Sequence, residues 1–153
     1  MIRRLAALVL ALGFLFSFCA AEEQEESGLY VITKSLYGRI RPGKKYQALC
    51  EFEYGAKLHP TGRMSADHMW IEIESAENYI VWCSVDYLTE RNDVFYVYSL
   101  NDERIRIRKH PGAGKVTGYA RKEEVLEITQ VVMGYGRCVK GWVDLSYFIE
   151  DCE

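Results

Sequence analysis

The chain is poor in proline, in histidine and in excess positive charge. Three prolines and twelve glycines in 153 residues exclude a collagen-like repeat and a Pro/Gly-rich disordered tract. The three histidines and the lack of any Cys-x2-Cys pair leave little for a structural zinc site. His59, Asp67 and His68 share one stretch, but His-x8-His with a single carboxylate is not a recurrent ligand spacing, and no metal or cofactor requirement is read from the chain. Lys and Arg number 19 against 22 Asp and Glu, a net charge of −3. Non-specific nucleic-acid binding, which draws on counterion release by a basic surface, is therefore not expected. A long apolar period of 3.6 residues is also missing, which argues against βαβ crossovers and partner helices.

Long apolar runs are confined to the start. Arg3 and Arg4 precede Leu5 to Phe18, a stretch free of charge, and Cys19-Ala20-Ala21 supplies small residues before the acidic Glu22 to Glu26. This pattern reads as a secretory signal over residues 1–21, followed by an acidic linker over 22–27. A retained anchor is the competing reading, but an uncharged run of fourteen residues falls short of the roughly 20 that a spanning helix needs. Acylation of Cys19 is disfavoured because Phe18, not a small residue, stands directly before it. Cleavage after Ala21 removes two arginines and leaves 17 basic against 22 acidic residues, a net charge of −5 over the 132 that remain. The expected location is outside the cytoplasm: periplasm, cell envelope or medium.

Those 132 residues contain an internal repeat. Val81-Trp82-Cys83-Ser84-Val85-Asp86-Tyr87-Leu88 aligns with Gly141-Trp142-Val143-Asp144-Leu145-Ser146-Tyr147-Phe148 at an offset of 60. Trp70 to Ile73 aligns with Tyr135 to Cys138, and Ala48 to Leu58 with Val116 to Leu126. Arg39-Ile40-Arg41 and Arg106-Ile107-Arg108 each precede a Pro-Gly pair, with two extra residues in the second copy. The repeats run over 28–90 and 94–150, joined by the polar Glu90-Arg91-Asn92-Asp93. Alternation in Val94 to Leu100, Arg104 to Arg108 and Trp70 to Ile73 has the period of two expected of half-buried strands. Arg121 to Met133 begins like a helix, but Val125, Ile128, Thr129, Val131 and Val132 favour a strand.

An apolar-Arg strand, a Pro-Gly turn, Lys115-Val116-Thr117-Gly118, and a closing Gly141-Trp142-Val143 followed by Tyr147-Phe148 resemble the bacterial SH3 (SH3b) domain. The second repeat is the better match. In the first, Val81 replaces the glycine of Gly-Trp-Val, Cys50 stands where the second has Gly118, and Thr61 to His68 lengthens a loop. The resemblance implies an all-β fold of two tandem, small, SH3-like, partly open barrels. It also implies a targeting or recognition role toward peptidoglycan, peptides or neighbouring envelope proteins, in a family whose members are commonly attached to a hydrolase domain.

Four cysteines remain after signal removal, two per repeat: Cys50 and Cys83, Cys138 and Cys152. Export and small barrels favour disulfides. Of the three connectivities, the within-repeat pairs Cys50–Cys83 and Cys138–Cys152 close each repeat on itself, the second contributing about 3 kcal/mol in the loop-entropy picture. Buried free thiols are the alternative. A catalytic thiolate would need a neighbouring imidazole and an activating helix N-terminus. Cys50 or Cys83 with His59 or His68, and Cys138 with His110, are the available pairs, and none opens a helical pattern. Glu72 and Glu74 on a strand, and Asp102-Glu103 at a turn, do not form the pocketed pair that glycoside hydrolysis uses.

Aromatics are the stronger lead. Eleven tyrosines and three tryptophans exceed what two small cores need, and amphipathic rings commonly line recognition grooves. Trp82 and Trp142 are expected in or beside the cores. Tyr37, Tyr46, Tyr54, Tyr119 and Tyr135 fall at or near turns, and Arg39, Arg41, Arg106 and Arg108 fall on the outward parity of their strands. The expectation is an exported, non-catalytic module that grips an envelope peptide, glycan or protein through these Tyr and Arg side chains. A structural or assembly protein is the alternative, and a Cys-dependent hydrolase a remote one.

Overall fold

The computed structural model describes residues 28–152; the expected signal segment and the acidic linker lie outside them. Fifteen short strands and two 3-10 turns make up the described chain. The first half comprises β1 (Leu29–Val31), β2 (Ser35–Arg39), β3 (Ala48–Glu53), β4 (Lys57–Met64), β5 (Trp70–Glu74), β6 (Ile80–Ser84), a 3-10 turn (Val85–Tyr87) and β7 (Leu88–Thr89). The second comprises β8 (Phe95–Tyr98), β9 (Ile105–His110), β10 (Ala113–Ala120), β11 (Leu126–Ile128), β12 (Gln130–Val132), β13 (Tyr135–Cys138), β14 (Gly141–Asp144), a 3-10 turn (Leu145–Tyr147) and β15 (Ile149–Glu150). Arg121 to Met133 is extended from Leu126 onward, as its β-branched residues require.

Both halves use one topology. In the first, all strands join one sheet in the order β3-β2-β6-β5-β4-β1-β7, because the long β4 pairs with β1 at its start and β5 at its end. In the second the equivalent strand is interrupted at Thr129. Its first piece, β11, pairs with β8, and its second, β12, pairs with β13, which divides the sheet into β10-β9-β14-β13-β12 and β11-β8-β15. The chain is all-β, built from antiparallel sheets curled into two SH3-like, partly open barrels.

Strand register fixes which residues correspond. Arg39 pairs with Trp82 and Arg108 with Trp142; Glu72 pairs with Trp82 and Arg137 with Trp142. Arg39 therefore corresponds to Arg108, and Pro42-Gly43 follows it as Pro111-Gly112 follows Arg108. The two extra residues expected in the second copy vanish, because pairing along a strand proceeds one residue at a time on both sides.

The first core gathers Leu29, Val31, Leu36, Leu58, Ile71, Ile73, Val81 and Leu88, and the second Phe95, Val97, Ile107, Leu126, Ile128 and Val143. Fully burying each such side chain contributes about 1.5–3 kcal/mol. Val132 and Trp142, from the second half, belong to the first cluster, so apolar contact is continuous between the halves.

The two expected disulfides are absent: Cys50, Cys83, Cys138 and Cys152 are all free. β2 stands between β3 and β6. Gly38 pairs with Cys50, and one step along the antiparallel pair places it opposite Cys83. Two strand spacings put the Cys50 and Cys83 Cα atoms about 9.5 Å apart, beyond the limit of about 7 Å for a bridge. Cys138 is buried in the second core on β13, whereas Cys152 is exposed beyond β15, on a different sheet. Burial pushes the Cys83 thiol up to about 12, with Cys50 adding to the rise. Burial also raises Cys50, against a backbone hydrogen bond at Gly38 and with Glu77 adding to the rise. At mildly alkaline pH Cys50 and Cys83 therefore stay protonated. Ellman titration of the native protein freed of residues 1–21 should find one fast thiol, removed by Cys152→Ser; fast reaction of Cys83 would contradict this placement.

The halves are joined by a buried polar junction. Gln130, 4% exposed, donates from Nε2 to the carbonyls of Val85 at 2.8 Å and Leu88 at 2.5 Å. Its Oε1 accepts from Arg137 Nη1 at 3.2 Å, and Arg137 lies 3.6 Å from Asp86. The Val131 amide donates to Thr89 Oγ1 and the Met133 amide to Glu90 Oε1, while the Glu90 amide donates to the Val131 carbonyl. Thr89 of β7 and Glu90 of the expected linker thus complete the open edge of β12. Arg91 then clamps the far side: it pairs with Asp93 at 2.5 Å and Glu150 at 2.9 Å and lies 3.8 Å from the centroid of Phe95. Gln130→Leu leaves the Leu88 carbonyl without its donor and Arg137 without its acceptor. Urea unfolding should show a loss of about 1–3 kcal/mol, and an unchanged midpoint would show that the junction adds no stability.

Candidate functional site

A groove of about 760 Å³ lies on the second half. Its basic side comes from β9 and the loop before it. There Ile107 points into the core, so Arg106 and Arg108 on either side point out. Register sets Trp142 beside Arg108 and Tyr135 beside Asp144. Tyr147 reaches in from the 3-10 turn that closes the barrel. Arg104 and Glu103 from the preceding loop complete the wall.

Gly112 shapes one end. Its φ of +68° suits glycine, and a Cβ there would fall 2.5 Å from the Tyr135 hydroxyl oxygen. The β12–β13 hairpin that carries Tyr135 turns through Met133 and Gly134 at φ 51° and 78°, the two positive values of a type I′ turn. Met133 tolerates this because it is packed against the first core.

Most acids in the groove are already engaged. Asp144 accepts from the amide and hydroxyl of Ser146 at 3.0 and 2.6 Å. Lys122 donates to Asp102 at 2.7 Å and holds that carboxyl below its ordinary range. Arg108 donates to the Gly114 carbonyl at 3.0 Å. Among the described residues, Arg104 and Arg106 make no ion pair. Two uncommitted guanidinium groups beside Tyr135, Trp142 and Tyr147 can hold a ligand with an anionic group and a body that stacks or packs on rings.

Arg106, Arg108 and Tyr135, three of the residues singled out in sequence, meet in this groove. Tyr37, Arg39, Arg41 and Tyr46 cluster on the first half, where they satisfy one another. Arg39 lies 5.6 Å from the Tyr37 ring centroid and Arg41 6.0 Å from that of Tyr46, with Lys45 at 5.2 Å. Arg39 also donates to the Tyr46 carbonyl at 2.7 Å. Tyr54 stands apart, with Lys34, Glu51 and Glu53. Tyr119 borders a separate depression beside Lys122, Glu124 and Lys140.

Sequence reasoning missed Trp142 as a groove wall, and Tyr147 and Arg104 altogether. Trp142 is 3% exposed and serves both core and groove. Its spacing to Tyr147 was visible in the closing motif, but the pairing of Trp142 with Arg108 is non-local and has no sequence signature. Gly112→Ala should cost about 1–2 kcal/mol for the left-handed backbone and displace Tyr135 from the groove wall. Denaturant unfolding and the Tyr135 ring resonances test this, and unshifted resonances would count against the contact.

No family model matches the chain, and no curated protein matches it. Two solved structures are similar over 84% of it, those of NlpC1 and NlpC2 from Trichomonas vaginalis, each at 12% identity and a TM-score of 0.33. The chain covers 47% and 49% of them, about half the length of either.

Proposed function

We propose that the protein is an exported, non-catalytic module of SH3b type that binds an envelope ligand, a peptide or peptide-bearing glycan, in the groove of its second half. The observation that carries this reading is the juxtaposition of Arg104 and Arg106, which make no ion pair among the described residues, with the ring wall Tyr135, Trp142 and Tyr147. Guanidinium groups bind carboxylates in a fixed fork geometry, and the rings supply apolar area at low entropic cost. The charged Arg3-Arg4 start and the apolar run after it support export.

A binding role fits the thiols better than hydrolysis does. Cys83 and Cys50 are held protonated by burial, which is the opposite of what a thiol nucleophile requires.

Retention on purified peptidoglycan tests the proposal. Wild-type protein should be retained, and Arg106→Ala or Tyr147→Ala should each weaken binding about tenfold, or about 1.4 kcal/mol. Arg41→Ala, outside the groove, should leave retention unchanged. Retention indifferent to both groove substitutions would move the site elsewhere, and no retention of the wild type would reject peptidoglycan as the ligand.

A further inference from the structure

The two halves carry the same surface row, and one of the two rows is covered within the chain. In the second half, Trp142, Arg137 and Gln130 run across β14, β13 and β12 and are seated on the 3-10 turn and β7 of the first half through Val85, Asp86 and Leu88. In the first half the equivalent row is Trp82, Glu72 and Arg63. The likeness extends to geometry: Arg63 lies 5.9 Å from the Trp82 ring centroid and Arg137 5.8 Å from that of Trp142. Among the described residues, the Glu72 carboxylate binds Thr61 and Arg63, both on its own sheet. Trp82 stays half-buried where Trp142 is covered.

The receiving end is duplicated too. The Leu88 carbonyl accepts from Gln130 of the second half, and Thr89, 2% exposed, accepts from the Val131 amide. Their counterparts at the same offset are Phe148 and Ile149, and Ile149 is 46% exposed, with Tyr147 before it at 54%. Arg39 pairs across the strands with Trp82 and Arg63 lies over its ring, beside Glu72, whereas Glu150, which is paired with Arg91, and Asp151 follow Ile149.

We propose that the chain associates head to tail with further copies of itself, the Ile149 end of one copy seating on the Trp82 face of the next. The contact repeats between chains the docking that already joins the two halves. Ile149 meets the Trp82 indole, and the Asp151 carboxylate faces the exposed Arg63 guanidinium. Arg63, in the bulge of β4 opposite Glu72, offers N–H donors where Gln130 offers its amide in the other half. The two surfaces are different, so the contact is heterologous and generates open chains rather than a closed two-fold dimer. Its charged rim makes it weaken with added salt.

Sedimentation velocity of the purified chain tests this. Its mass should rise with protein concentration past that of a dimer, and the rise should shrink in high salt. Arg63→Glu on the face and Ile149→Glu at the end replace exposed side chains, and unchanged circular dichroism and denaturation midpoints establish that both variants fold. Each variant alone should be monomeric, whereas an equimolar mixture should form a dimer and stop there, since only one competent face and one competent end remain. A wild type that is monomeric at every concentration, variants that still assemble, or a mixture that stays monomeric would each overturn the proposal. Neither substitution lies in the groove, so failure here leaves the ligand-binding proposal standing.

Discussion

The arrangement of the two halves depends on one buried amide. Gln130 gives its donors to two carbonyls of the first half and its acceptor to Arg137. A buried amide in this position is stabilising only when all its partners are in place, since each unpaired buried group costs about 1–3 kcal/mol. The polar edge of β12 is then completed by Thr89 and Glu90 rather than by water. One consequence is that β12, an edge strand in its own sheet, is not available to other chains there. Another is that Trp142 is covered on one side and forms a groove wall on the other.

A second constraint acts inside each barrel, where three neighbouring strands must share one cross-section. In the first half Gly38 lies between Cys50 and Val81, and a Cβ on it would fall 2.7 Å from the Cys50 sulfur and 2.8 Å from Val81 Cγ2. In the second half Ile107 fills the centre, with Gly118 and Gly141 on either side, and a Cβ on Gly141 would fall 2.5 Å from the Arg108 carbonyl oxygen and 3.2 Å from Ile107 Cγ2. The small and large positions are exchanged, and the space is filled in both cases, as close packing demands. This explains why Val81 replaces the glycine of the closing motif in the first half. It also accounts for Cys50, which fills space beside a glycine rather than forming a bridge.

The groove and the first-half cluster contain the same residue types with different outcomes. Arg39 and Arg41 turn onto Tyr37 and Tyr46 and are occupied by them. Arg106 lies in a concave wall, with rings contributed by two other strands and a turn. Side-chain chemistry is shared, and local shape decides whether a guanidinium is committed to its own chain or left for a ligand.

Much of this was legible in the chain itself. Period-two alternation in Ile105 to Arg108 and the β-branched run ending at Val132 specify strands, because apolar side chains on one face must be buried. The offset of 60 between Trp82 and Trp142 marks the repeat, and the outward parity of Arg106 and Arg108 places them on the surface. What sequence could not convey were relations across strands. The pairing of Trp142 with Arg108 assembles the groove, the intervention of β2 between β3 and β6 keeps Cys50 and Cys83 apart, and the reach of Gln130 to Val85 and Leu88 docks the halves. Local pattern is set by which side chains must leave water, and that is written residue by residue. Register, strand order and docking are set by packing between residues far apart in the chain, and only the tertiary structure decides them.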